Sequence, residues 1–191
     1  MKKYISFLLI LFLVSCDLFT TRTPELPDTA AQTNIAATNP DSLFKNFQTS
    51  IEKGILQNYI SCFVDTSFLK RKFKFIPSSG SVTQYPILNG WNFDAEKQYF
   101  QNEIIKTLSG TTVTLGISNQ LNTQFGDSAV YQFDYSLSIT SSDRNINGNY
   151  SGSSEFTVLR DTRNQWVIVN WSDLRKNNLN SWSDLKGRLL Y

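Results

Sequence analysis

Few residues in this chain could do covalent chemistry. There are two cysteines, Cys16 and Cys62, and no histidine. The lack of histidine removes the commonest general base, the commonest metal ligand and any Ser-His or Cys-His dyad. Cys62 falls on an apolar stripe with Ile55, Tyr59 and Phe63, where a small buried hydrophobe is the expected role. Among the acids, Asp65 closes a helical stretch and is the one weak candidate for a general base. Asp134 lies on the polar side of a strand, opposite Tyr131 and Tyr135, and no second acid stands beside those phenols. Asp143-Arg144-Asn145-Ile146-Asn147-Gly148 fits the first half of a calcium loop. Its twelfth position is Ser154, with Glu155 one place late, and its flanks read as strands. A hairpin turn explains the segment better. Neither a metal nor a cofactor is expected.

Cys16 has a different setting. Met1-Lys2-Lys3 precedes an apolar run from Tyr4 to Phe12, and Leu13-Val14-Ser15-Cys16 follows. A basic start, a short apolar run and a small residue before the cut make up a secretory signal peptide. The run is too short to span a bilayer, which takes about 20 residues. Leu-Val-Ser-Cys resembles the lipobox of bacterial lipoproteins. That resemblance implies cleavage before Cys16, diacylglycerol on its sulfur and acylation of the new amino group. One acyl chain binds a membrane marginally, whereas two or three hold it stably. The expected layout is a signal peptide over 1–15, a lipidated cysteine and tether over 16–39, and one domain over 40–191. The membrane is then a partner through the lipid. The location is the bacterial cell envelope, on the periplasmic or surface side.

Composition agrees with that layout. Without Lys2 and Lys3, sixteen basic residues balance sixteen acidic ones, so no general basic field attracts nucleic acid. Residues 17–39 carry Pro24, Pro27 and several threonines with little apolar content. As a coil this length spans roughly 25 Å root-mean-square. The only basic cluster of the mature chain is Lys70, Arg71, Lys72 and Lys74, which suits a solvated strand edge or an anionic membrane surface.

The elements that must position these groups follow from periodicity. Asn39-Pro40-Asp41 starts a helix, and Leu43, Phe44, Phe47 and Ile51 recur at helical spacing before Gly54. A second helical stripe runs from Ile55 to Phe63. Phe73 and Phe75 suggest a short strand, and residues 78–92 a loop. Asp94 caps a third helix carrying Tyr99, Phe100, Ile104, Ile105 and Leu108. From Thr112 the period becomes two, with Val113, Leu115, Ile117 and Leu121 on one face. Ala129, Tyr131, Phe133, Tyr135, Leu137 and Ile139 then point one way, and Gln132, Asp134, Ser136 and Ser138 the other. Further strands follow through Tyr150, Phe156 and Val158, and through Trp166 to Trp171. Ser181-Trp182-Ser183-Asp184 is a capping box for a terminal helix placed over a sheet edge.

Helices followed by an antiparallel meander make an α+β fold. Tyr59 to Asp65 closing a helical pair, and Gln165 to Asp173 as the last strand, resemble the nuclear transport factor 2-like superfamily, also called SnoaL-like or ketosteroid isomerase-like. The chain is also similar to lipoproteins of this fold from Bacteroidetes-related bacteria. The resemblance implies a curved antiparallel sheet wrapped over helices as a cone. Phe47, Tyr59, Tyr131, Phe133 and Tyr135 would line its interior. The missing histidine and unpaired acids favour a module that binds a small apolar ligand or an envelope protein, and a homodimer is compatible with it. A cavity enzyme (isomerase, dehydratase or cyclase) is the alternative, with Asp65 as base.

Overall fold

Asn39 caps the first helix as its position dictates: its side chain accepts the Ser42 N–H at 2.8 Å, and Pro40 opens the first turn. This helix, α1, is Pro40–Lys53. It ends at Gly54, whose φ of 63° is a left-handed conformation that glycine adopts without strain. Leu43, Phe44, Phe47 and Ile51 are its buried face. Helix α2, Leu56–Ser61, follows. The computed structural model describes residues 34–101, 111–176 and 179–190. The signal segment, Cys16, most of the tether, and Ile104, Ile105, Leu108 and Gly110 lie outside the described residues.

Strand β1 is Lys74–Ile76, helix α3 Ser79–Gln84, a 3₁₀ turn Pro86–Leu88, and helix α4 Phe93–Tyr99. Residues 78–92 are thus not the loop that their Ser, Gly and Pro content predicts. Weak local propensity is overridden by the C-terminal helix, which supplies partners. Ser81 Oγ donates to Asp184 Oδ1 at 2.7 Å, and the Ser78 N–H donates to Ser183 Oγ at 3.0 Å. Asn92 rather than Asp94 caps α4, accepting the Ala95 N–H at 3.0 Å. Asp94 instead sits in the first turn, where the helix dipole favours a carboxylate.

Strands β2 (Thr112–Phe125), β3 (Ser128–Thr140), β4 (Gly148–Arg160) and β5 (Trp166–Arg175) complete a five-stranded curved sheet in the order β1-β5-β4-β3-β2. Four strands form the expected antiparallel meander. β1 pairs parallel with β5, Lys74 opposite Asn170, which puts the basic cluster at a sheet edge. β3 alternates with the predicted phase, so all six residues from Ala129 to Ile139 are buried. β2 does not keep its phase. A bulge between Ser118 and Leu121, with Asn119 at φ 51°, turns the strand, and Leu121 is 64% exposed. Gly152 on β4 is required by close approach: a Cβ there would lie 2.6 Å from the Tyr135 hydroxyl.

Helix α5, Trp182–Leu189, carries the predicted capping box between Ser181 and Asp184. It does not lie on a sheet edge. It packs on α3, the 3₁₀ turn, β4 and β5, and drives Trp182 into the interior, 4.8 Å from the Trp171 ring and 5.2 Å from Tyr135. Among the described residues no helix is long and apolar enough to cross a membrane.

Candidate functional site

The phase of β3 and the stripes of α1 and α2 bring the five rings named from sequence into one buried cluster. Phe47 stacks on Tyr59 at 5.6 Å. Phe44 links Tyr131 (4.0 Å) to Phe133 (5.7 Å), and Trp182 bridges Phe47 (6.0 Å) and Tyr135 (5.2 Å). Each ring is within contact of the next, as aromatic pairs prefer. The Tyr131 hydroxyl reaches Asp41 Oδ1 at 3.1 Å, and burial pushes its phenol up to about 12.

Three acids that periodicity arguments passed over enter this interior: Glu96 from α4, Asp173 from β5 and Asp184 from α5. Glu96 accepts from Tyr59 Oη at 2.5 Å and Trp91 Nε1 at 2.7 Å, and pairs with Lys186 Nζ at 2.5 Å. Lys186 has no exposed surface. Its Nζ lies 3.8 Å from the ring centres of both Phe75 and Trp171. Burial pulls its ammonium below the ordinary value, to about 8, against the opposing pull of Glu96. Asp173 accepts from Tyr135 Oη at 2.7 Å, the Ser183 N–H at 2.7 Å and Ser183 Oγ at 2.5 Å. Burial raises its pKa and the hydrogen bonds oppose that rise. Asp184 accepts from the Ser181 N–H and Ser81, and forms an ion pair with Arg175. A signal for these residues was present. Glu96 is three before Tyr99 and Lys186 four after Trp182, so each shares a helix face with a buried ring. Asp173 is two after Trp171, on the same strand face.

Two acid–phenol pairs, Glu96 with Tyr59 and Asp173 with Tyr135, therefore meet inside the domain. Both carboxylates are occupied by further internal donors, and none of the four residues lines a described cleft. Buried networks bonded internally in this way position a core.

Open space lies elsewhere. A cleft of about 700 Å³ runs between α2, the segment after it, the start of α4 and the β4–β5 turn. Phe63, Phe73 and Phe93 form its apolar floor, with Phe73 4.8 Å and Phe93 6.3 Å from Phe63. Asp65, Lys72, Asp94 and Arg163 stand around its rim. Asp65 is exposed there. Its carboxylate accepts the Ser67 N–H at 2.8 Å, and this bond holds it below the usual carboxylate range, which makes it a weak base. Arg163 is paired with Asp161 at 2.7 Å and lies over the Phe68 ring at 3.8 Å. Cys62 is buried, donates to the Asn58 carbonyl at 3.3 Å and has its thiol pushed up by burial, which leaves it unreactive. In the 141–147 loop, Asp143 Oδ1 accepts the Asn145 N–H and Asn147 Oδ1 the Ser141 N–H, so both side chains serve the hairpin.

No protein-family model matches this sequence, and no curated protein matches it. Solved structures do match. The β subunit of benzoate 1,2-dioxygenase from Burkholderia mallei is 14% identical, with a TM-score of 0.54 over 75% of this chain and 93% of that one. A nuclear transport factor 2-like superfamily protein from Salmonella enterica is 16% identical, with a TM-score of 0.50 over 71% and 89%. The fold is NTF2-like. Bd1075 of Bdellovibrio bacteriovorus is 11% identical, with a TM-score of 0.53 over 72% of this chain, and the chain spans only 40% of that longer protein. At these identities the likeness is one of architecture alone; in this chain helix α5 packs on α3, the 3₁₀ turn, β4 and β5.

Proposed function

We propose that this protein is a lipid-anchored component of the bacterial cell envelope whose NTF2-like domain is a binding module for a small, largely apolar ligand with a polar head. The observation that carries the binding reading is the cleft in which Phe63, Phe73 and Phe93 form a floor beneath a charged rim. Concave sites with apolar walls and a few polar groups are the usual form of small-molecule sites. The consumption of Glu96 and Asp173 in internal hydrogen bonds supports binding over the cavity-enzyme alternative. The anchor reading rests on Leu13-Val14-Ser15-Cys16.

Two measurements test it. Cys16→Ser in a bacterial host should move the protein out of the membrane fraction or stall it unprocessed; unchanged membrane retention sinks the anchor. For the cleft, NMR titration with phenyl- and indole-carboxylates and the matching amines should shift resonances of Phe63, Phe93 and Arg163, and Phe93→Ser should abolish the shifts. Shifts confined to another surface, or none with any probe, reject the cleft as the binding site.

A further inference from the structure

We propose that the end of the domain from which the N-terminal segment departs is itself a membrane-contact surface, with Lys70, Arg71, Lys72 and Lys74 set against anionic lipid headgroups. The inference rests on the anchor reading and adds an orientation to it. Its first support is where the chain outside the described residues ends. Asn34 donates to Ser61 Oγ at 2.9 Å. Ala37 donates its N–H to Gln165 Oε1 at 2.7 Å, and its carbonyl accepts the Trp166 N–H at 2.8 Å. The segment leading back to Cys16 therefore leaves the domain beside the 161–165 turn. From Cys16 to that point a coil would span only about 23 Å root-mean-square.

The second support is that the same turn fixes the basic segment. The Thr162 N–H donates to the Phe68 carbonyl at 3.3 Å, and the Arg163 guanidinium covers the Phe68 ring. Lys70, Arg71 and Lys72 follow directly, and Lys74 begins the edge strand β1. All four are exposed, and among the described residues none of them makes an ion pair. Arg160, Arg163, Arg175, Lys176 and Lys186 each have a carboxylate partner, whereas Lys45, Lys53, Lys97, Arg144 and Arg188, like the cluster, make no ion pair among the described residues but are scattered along the chain. The acids near this end include Asp65, Asp94, Asp161 and Asp127, of which Asp161 is held by Arg163 and Asp127 by Arg160. The surface is thus net cationic on a mature chain whose charges balance in total, which leaves the remainder net anionic.

Charge complementarity selects an anionic lipid surface as the occupant. Basic residues act on it within about a Debye length, 8–10 Å at ordinary salt, and the anchor keeps them near it. Tethering converts a weak attraction into an intramolecular one, so it orients the domain even where free headgroups would not bind measurably. In this orientation the cleft opens toward the bilayer, because Lys72, Ser61 and Arg163 line it.

The test uses the full lipidated protein reconstituted in vesicles of phosphatidylcholine alone and of phosphatidylcholine with phosphatidylglycerol. Hydrogen exchange over 68–74 should slow about threefold or more in the anionic vesicles at about 50 mM salt, and recover at about 500 mM. The 141–147 hairpin loop should be unaffected. Lys70→Glu, Arg71→Glu, Lys72→Glu and Lys74→Glu together should remove the difference between lipids. Equal exchange in both vesicle types, from protein that floats with both, overturns the surface while leaving the anchor intact. Protein that floats with neither overturns the anchor and this inference with it.

Discussion

The group with most at stake is Lys186, a lysine with no exposed surface, paired with Glu96 and enclosed by rings. Removing one member of a buried pair leaves an uncompensated charge, at about 3–5 kcal/mol, whereas removing both is often close to neutral. Urea melts should therefore show Glu96→Gln and Lys186→Met each destabilising by about that much, and the double variant by less than either alone. The amide introduced by Glu96→Gln keeps one acceptor oxygen, for either Tyr59 or Trp91, and turns its NH2 toward the other. A double variant equal to the sum of the singles would mean that the two groups are not coupled. On β3, neighbours on opposite faces should differ sharply. Phe133→Ala empties a site among Phe44, Tyr131 and Phe156 and should cost about 3–5 kcal/mol. Asp134→Ala should cost about 1 kcal/mol or less, since its pair with Lys176 at 2.5 Å is partly exposed. Hydrogen bonds from Lys176, Ser153 and Asn119 hold the Asp134 carboxyl well below its ordinary value. A depressed carboxylate stabilises the fold above its unfolded pKa near 4 and loses that contribution as pH falls below it. Denaturant melts from pH 6 to 2 should show a shallower acid limb for Asp134→Asn than for the parent protein.

Among the elements, those whose signals are local were legible: the Asn39 cap, the unbroken alternation of β3 and the Ser181–Asp184 capping box all stand where the residues put them. Those decided by distant partners were not. Helix α3 depends on serines meeting α5 about a hundred residues later. Leu121 is turned outward by a bulge that no residue in β2 announces. The parallel pairing of β1 with β5 joins segments far apart in sequence. The N-terminal boundary also differs from composition. Asn34 to Thr38 lack a helical or strand pattern, yet Asn46 makes two hydrogen bonds to Ile35, and Ala37 is buried with both backbone groups bonded to the 165–166 segment. Deleting residues 17–32 should leave the melting temperature within about 2 °C. Extending the deletion to Thr38 should lower it by several degrees, since about 1 kcal/mol corresponds to 2–4 °C in a domain this size. Equal melting temperatures for the two deletions would show that the 34–38 contacts contribute nothing.

At the scale of the molecule, the interior was legible as a set of rings and illegible as a set of charges. Apolar periodicity reports which face is buried, and it assigns polar residues on that face to solvent by default. Glu96, Asp173 and Lys186 were hidden for that reason, although their spacing from Tyr99, Trp171 and Trp182 placed them inward. The candidate cleft was hidden for another: Phe63, Phe93 and Arg163 come from three separate segments, and only the fold brings them together. The position of helix α5 bears on how the chain is made. Trp182 and Lys186 fill the centre of a core whose other walls are α1, α4 and β5. Synthesis delivers the N-terminal segments first. Tyr135 and the Glu96 carboxylate must then wait for Trp182 and Lys186 until nearly the whole chain has emerged. A premature stop before Trp182 would leave the core without the residues that close it.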